Sequence, residues 1–265
     1  MQGKASRIAD AAAPFAVGLL ALLGWEAAVR ALGVPHYVLP GPLLIGQTLV
    51  ADWPLLSSSL LWTLLVALKA LALAALFGTG LAVLFTQWRW LERALLPYAV
   101  VLQVTPVVAI APLIIIWTDN NIPLALLICA WIVAFFPILS NTIVGLRSVD
   151  HNLVSLFELY GASRWQTLLH LKLPAALPYF LAGLRISAGL ALIGAVVAEF
   201  VAGTGGAESG LAYRIMEAGH QLKIPRMFAA LALISLAGIL LYVLAGLISH
   251  LALRRWHDSA ASREI

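Results

Sequence analysis

Apolar residues fall into six continuous runs of about 20 residues, parted by short polar stretches, without the strict alternation of a transmembrane strand. A run of that length crosses the hydrocarbon core as a helix, which satisfies its own backbone hydrogen bonds in lipid. The pattern predicts spans at about 14–32, 60–85, 97–117, 124–145, 179–201 and 227–253. Pro106 and Pro112 interrupt the third, and Pro137 lies inside the fourth. Between the first two, Pro35, Pro40, Gly41, Pro42 and Pro54 predict a turn-rich loop over 33–58 that no single helix can cross.

The stretch from 147 to 178 is polar and differently organised. Leu153, Leu156, Phe157 and Tyr160 are spaced i, i+3, i+4, i+7, one stripe of a short amphipathic helix, with Asp150 or Asn152 available as its cap. Gly161 supplies the left-handed conformation that ends such a helix. Ser163 with Gln166 three residues on makes a capping-box pattern for a second short helix, on which Trp165, Leu168 and Leu169 share a face. Pro174 is expected to stop that helix and Pro178 to open the next span. The prediction is two helices joined by a glycine elbow on the membrane surface. One apolar stripe can lie on the chain's own helix ends, and the other calls for a partner.

Composition agrees with the pattern: 62% of residues are hydrophobic and 11% charged, against about 25% charged in a soluble domain. The net charge of +4 does not indicate nucleic acid, because the cations are dispersed among loops without a basic face. They report orientation instead. Lys4, Arg7, Arg89, Arg93, Arg147, Arg164, Lys172, Arg254, Arg255 and Arg263 fall on one side, and Arg30, Arg214, Lys223 and Arg226 on the other. Both termini and 147–178 are therefore expected to be cytoplasmic. The start superficially resembles a secretory signal, but Glu26 and Arg30 occupy the place of a small, neutral cleavage region, so an uncleaved first span is expected. The single cysteine, Cys129, lies in an apolar run and reads as a small buried hydrophobe. The chain divides into a first span and periplasmic loop (1–59), a membrane core (60–253) and a cytoplasmic tail (254–265).

Ionisable and polar residues at membrane depth mark candidate function, since a charge near the bilayer centre costs about 3 kcal/mol or more unless paired or snorkelling. Lys69 can reach the interface through its long stem. Arg185 can be an anchor or part of a path. Glu199, beside the glycine-rich 203–206, can be solvated, or can form a gate or receptor contact. Thr105, Pro106 and Asn141 place spans three and four as walls of a translocation path, freed proline carbonyls being tolerated where a cavity re-satisfies them.

The segment Phe157-Glu158-Leu159-Tyr160-Gly161-Ala162-Ser163, followed by Leu171-Lys172-Leu173-Pro174, resembles the EAA loop of type I ABC importer permeases, in wording close to the nitrate, sulfonate and taurine branch. Supporting stretches are Thr105-Pro106 through Ala111-Pro112-Leu113, Phe136-Pro137 through Asn141-Thr142, Gly183-Leu184-Arg185-Ile186 and Ala198-Glu199-Phe200, so the likeness covers about 60–250. It implies an all-α fold of about six transmembrane helices, a type I ABC importer transmembrane domain in the cell inner membrane. It also implies a second copy of the permease, expected as a homodimer, a cytoplasmic ABC ATPase dimer, and a periplasmic or lipid-anchored solute-binding protein. Leu153, Leu156, Phe157, Glu158, Tyr160, Gly161, Ala162, Leu171 and Pro174 would form the ATPase-coupling surface, the first of the two short helices being the coupling helix. The family's Glu-Ala-Ala falls at Ser155-Leu156-Phe157, so its acidic first position is absent. No Walker A pattern occurs, so the chain is expected to be no enzyme and to bind no cofactor, ATP being used by the partner. The rival reading is an ion-coupled secondary transporter, which would show paired intramembrane acids or half-helices in inverted repeats.

Overall fold

The computed structural model describes residues 2–203, 205 and 209–254, with side chains from residue 13 onward. Thr204 and Gly206 of the glycine cluster, the tail from Arg255 and the side chains of Lys4 and Arg7 lie outside the described residues. All regular structure among the described residues is helical: α1 (Gln2–Ala31), α2 (Pro42–Ala51), α3 (Trp53–Gln87), α4 (Arg89–Val104), α5 (Val107–Trp117), α6 (Ile122–Arg147), α7 (His151–Leu159), α8 (Arg164–Thr167), a π segment (Leu168–Lys172), α9 (Leu173–Ala202), α10 (Leu211–His220) and α11 (Ile224–Leu253).

Five helical runs among the described residues are long and apolar enough to cross a membrane, and α4 with α5 makes a sixth if that bent pair is one span. The bend between those two is 105°, far beyond a proline kink. It sits at Thr105 and Pro106, both in extended conformation, whereas Pro97 and Pro112 lie inside helices. The ring of a proline pushes the preceding residue out of the helical region, and here that residue is Thr105.

The expected loop over 33–58 is instead largely helical. Pro42 and Pro54 fall in the first turns of α2 and α3, where a missing N–H breaks no helical bond. Glu26 of α1 accepts a hydrogen bond from the Leu43 amide at 3.1 Å, tying α1 to the start of α2. A second correction concerns Pro174 and Pro178. Neither interrupts the chain: Arg164–Ala202 is one continuous helical run. The Leu173 amide bonds the Leu168 carbonyl across the wide i→i+5 turn just before Pro174, while Pro178 lies inside α9.

Helices α3, α6 and α9 form the centre, with α5 against α6 and α9, and α11 against α9, α10 and α2. Their contacts are made by small residues, as expected where lipid offers no hydrophobic drive to association. Ala67, Ala70, Ala74, Gly78 and Ala82 line the buried edge of α3. On the α6–α9 seam a Cβ at Gly145, Gly183 or Gly194 would stand 2.7–2.9 Å from the neighbouring helix. The Ser187 hydroxyl donates to the Ala134 carbonyl at 2.6 Å across the same seam.

Candidate functional site

The elbow between α6 and α9 is built by local rules. Asp150 accepts from the Asn152 amide at 2.8 Å and caps α7. At its far end Gly161 takes φ +70°, the Gly161 amide bonds the Glu158 carbonyl at 3.0 Å, and the Ala162 amide bonds the Phe157 carbonyl at 2.9 Å. Those two bonds are the Schellman closure. The Ser163 hydroxyl then accepts from the Gln166 amide at 3.2 Å, while Gln166 accepts from the Ser163 amide at 2.7 Å, a complete capping box.

What this frame displays is apolar. Leu153 and Leu156 are 46% and 45% exposed and Tyr160 is 82% exposed, with Phe157 half-buried and Glu158 exposed. No residue of α7 is buried, so its stripe does not pack at home. The second stripe divides: Leu168 is buried against the core, while Trp165 and Leu169 face outward. Ala162, Leu171 and Pro174 are half-buried, the last two inside the helical run leading to α9. Ser155, which replaces the family's acid, lies 3.2 Å from His151 Nδ1, one turn back on α7.

At the opposite end of α9, Glu199 is not solvated. It is 3% exposed, and burial at that depth demands hydrogen-bond partners. The Thr63 hydroxyl donates to its Oε1 at 2.8 Å, and the Ala212 amide donates to its Oε2 at 3.1 Å. The same Thr63 oxygen accepts from the Leu211 amide at 3.0 Å. Two of the orphan amides at the start of α10 are thus held by α3 and α9. A Cβ on Gly210 would collide with the Glu199 carboxylate. Arg214 adds a bond to Ser59 at 3.0 Å and pairs with Glu217 at 3.0 Å. Helix α10, Ser59, Thr63 and Gly210 had no place in the sequence reading, and Arg214 counted there only toward orientation. The legible signal was the spacing of Leu211, Ile215 and Ala218 at i, i+4, i+7.

The other path candidates are held by separate contacts, and the buried Arg185 Nε has no hydrogen-bond partner among the described residues. The Arg185 guanidinium carbon lies 3.9 Å from the centroid of the Tyr242 ring and packs beside Gly246 of α11. Lys69 is exposed on α3, as a snorkelling side chain requires. Asn141 donates to the Pro137 carbonyl at 2.8 Å within α6, and its Cβ lies close to Gly183. Thr105 donates to the Val101 carbonyl at 2.7 Å at the bend, beside the exposed Pro106. Asn141 therefore meets α9 at Gly183 and Arg185 meets α11 at Tyr242, whereas Glu199 belongs to the α10 knot and Thr105 and Pro106 to the bend.

Residues 74–257 match the sequence family described as binding-protein-dependent transport system inner membrane component. The riboflavin transport system permease protein RibX of Chloroflexus aurantiacus is 41% identical over 246 residues, covering 91% of this chain and 88% of that relative. The formylaminopyrimidine transport permease protein ThiX of Halalkalibacterium halodurans is 35% identical over 84% of this chain and 87% of its own length. A putative aliphatic sulfonates permease, SsuC of Escherichia coli, is 31% identical over 94% and 92%. None of these relatives favours an ion-coupled secondary transporter. An all-helical, multi-pass inner-membrane protein with this elbow and these relatives belongs to the binding-protein-dependent transport system inner membrane components, the permeases of type I ABC importers in the nitrate, sulfonate and taurine branch.

Proposed function

We propose that α7 and the Gly161 elbow are the surface through which a cytoplasmic ABC ATPase dimer drives this permease, and that two copies of the chain form the translocation unit. The observation that carries the reading is the unpartnered stripe of Leu153, Leu156, Phe157 and Tyr160 on a helix held at both ends by its own caps. The count of cations supports a cytoplasmic position for this end and for both termini. The α10 knot then faces the side from which a periplasmic or lipid-anchored solute-binding protein delivers its cargo. The core would run over 60–253 with its coupling loop at 147–178, ahead of a cytoplasmic tail at 254–265, while 1–59 supplies an additional span and the α2 connection. The chain binds no cofactor, and ATP is used by its partner. Thr105, Pro106, Asn141 and Arg185 are assigned to the path between the two copies, and Glu199 to the gate at its outer end.

The substrate is a small solute of the kind the branch carries. Two relatives of higher identity than the sulfonate permease are named for riboflavin and a formylaminopyrimidine, which favours a nitrogen heterocycle over an inorganic anion. Fully burying an apolar side chain contributes roughly 1.5–3 kcal/mol, so truncating Leu156 and Phe157 to Ala should weaken ATPase binding on the order of a hundredfold. Co-purification of the ATPase with the double variant at wild-type stoichiometry would refute the docking surface. A ligand screen on the cognate binding protein tests the substrate class separately.

A further inference from the structure

A cavity of about 730 Å³ opens behind the coupling element, between the ends of α3 and α6, the start of α4, α7 and the π segment. Its lining includes Arg89, Arg93, Arg147 and Lys172 and the single carboxylate of Glu92. Arg147 is taken by Glu92 in an ion pair. Arg89, Arg93 and Lys172 have no ion pair among the described residues, so three cations line one opening without a described counter-charge of their own. Most of the remaining lining is apolar: Phe85 and Leu146 are buried, and Leu96, Pro97, Val149 and Val154 join them.

The level of the cavity in the membrane follows from its neighbours. Helices α3 and α6 end there as apolar spans. Trp88, Trp90 and Tyr98 are exposed on the flanking helix, the residue types that settle at the headgroup layer. A hollow at that level, lined by cations and by apolar side chains, matches an anionic phospholipid: phosphate on the cations, acyl chains along the apolar lining. We infer that this cavity binds the phosphate of an anionic phospholipid headgroup through Arg89, Arg93 and Lys172. Val154 of α7 lines it, turned about 100° from Leu153 on the exposed stripe. The lipid therefore bears on the coupling helix from a face the docking stripe does not use. Only the identity of the leaflet rests on the proposed orientation.

The test takes the full-length chain with its ATPase in nanodiscs of phosphatidylcholine and phosphatidylglycerol at equal mole fraction, and reads retained lipid by native mass spectrometry. Phosphatidylglycerol should be retained in excess. Basic residues near an anionic surface contribute about 1 kcal/mol each, so Arg89→Gln, Arg93→Gln and Lys172→Gln should each reduce that excess roughly fivefold. Arg254→Gln, on the same end but not lining the cavity, should leave it unchanged. No excess in the wild type, or an equal loss with Arg254→Gln, overturns the site. Loss of the excess on adding inorganic phosphate alone would assign the cavity to a soluble phosphate and overturn the lipid. Release of the ATPase by the three variants with lipid retention unchanged would give the cations to the partner. Lipid and ATPase are read separately, so failure here and failure of the Leu156/Phe157 docking surface are distinguishable.

Discussion

Thr63→Val is the sharpest probe of the α10 knot, because it deletes one oxygen and almost no volume. That oxygen donates to Glu199 Oε1 at 2.8 Å and accepts from the Leu211 amide at 3.0 Å, and Thr63 and Leu211 are both fully buried. Valine fills the space but leaves Glu199 one donor short and the Leu211 amide without an acceptor. Each buried group left unpaired costs about 1–3 kcal/mol, so the docking of α10 should weaken by roughly 2–5 kcal/mol, less than the plain sum if the helix shifts to compensate. At about 1.4 kcal/mol per tenfold change, the lower bound is an increase of roughly 30-fold in the opening equilibrium. Hydrogen exchange of the α10 amides, followed by mass spectrometry in detergent or nanodiscs, reads that opening directly. The matched control is Thr142→Val. Thr142 is equally buried on α6, but its hydroxyl has no hydrogen-bond partner among the described residues, so its loss should be neutral or slightly stabilising. Wild-type exchange of α10 in Thr63→Val would refute the claim that Thr63 and Glu199 hold this helix.

Three further outcomes follow from equally local geometry. At Gly161 a Cβ would meet nothing within 4 Å, so only the positive φ opposes substitution: Gly161→Asn should retain uptake, while Gly161→Val, at a cost of roughly 1–2 kcal/mol or more, should lose uptake and receptor-stimulated ATPase with abundance intact. A Cβ at Gly194 would stand 2.9 Å from the Ala130 backbone, whereas at Gly189 on the same helix it meets nothing. Gly194→Ala should therefore lower the unfolding temperature in detergent, by an overpacking cost of about 1–3 kcal/mol, and Gly189→Ala should not. Arg185→Gln and Tyr242→Leu should each destabilise the α9–α11 contact by about 0.5–2 kcal/mol, and the double variant by little more than either alone. Additive losses in that cycle would refute the pairing.

The parts of this molecule that were legible in its sequence are those set by near neighbours in the chain. Apolar length fixed the spans, and the elbow was readable because Asp150, Gly161, Ser163 and Gln166 each act on amides within three residues of themselves. Prolines misled where their effect depends on register: Pro42 and Pro54 start helices, Pro174 follows a π turn that leaves no periodic trace, and Pro178 lies inside α9. Glu199 was misplaced for a different reason. Its partner Thr63 is 136 residues away, and no spacing rule connects them. The cationic cavity is a similar case, since Arg89, Arg93 and Lys172 counted only toward orientation until the fold gathered them.

The elbow and the α10 knot lie at the two ends of one helical run. From Arg164 to Ala202 the chain is a single helical run of 39 residues, about 58 Å at 1.5 Å per residue, with Gly161 three residues before its start and Glu199 three residues before its end. Its contacts with α6 at Gly145, Gly183 and Gly194 are backbone-close and spread along the length, so a displacement at the elbow moves α6 and α9 as a pair instead of sliding one past the other. The missing acid at Ser155 weighs on the same point: if α7 is the docking surface proposed above, force from an ATPase would reach α9 through apolar contact on α7 and the stiffness of the elbow. This reading links the two ends without making them interchangeable. Gly161→Val should leave α10 exchange as it is, Thr63→Val should leave the ATPase bound, and both should reduce uptake. In the double variant uptake should fall no further than in the weaker single, because a lever disconnected at one end gains nothing from being loosened at the other.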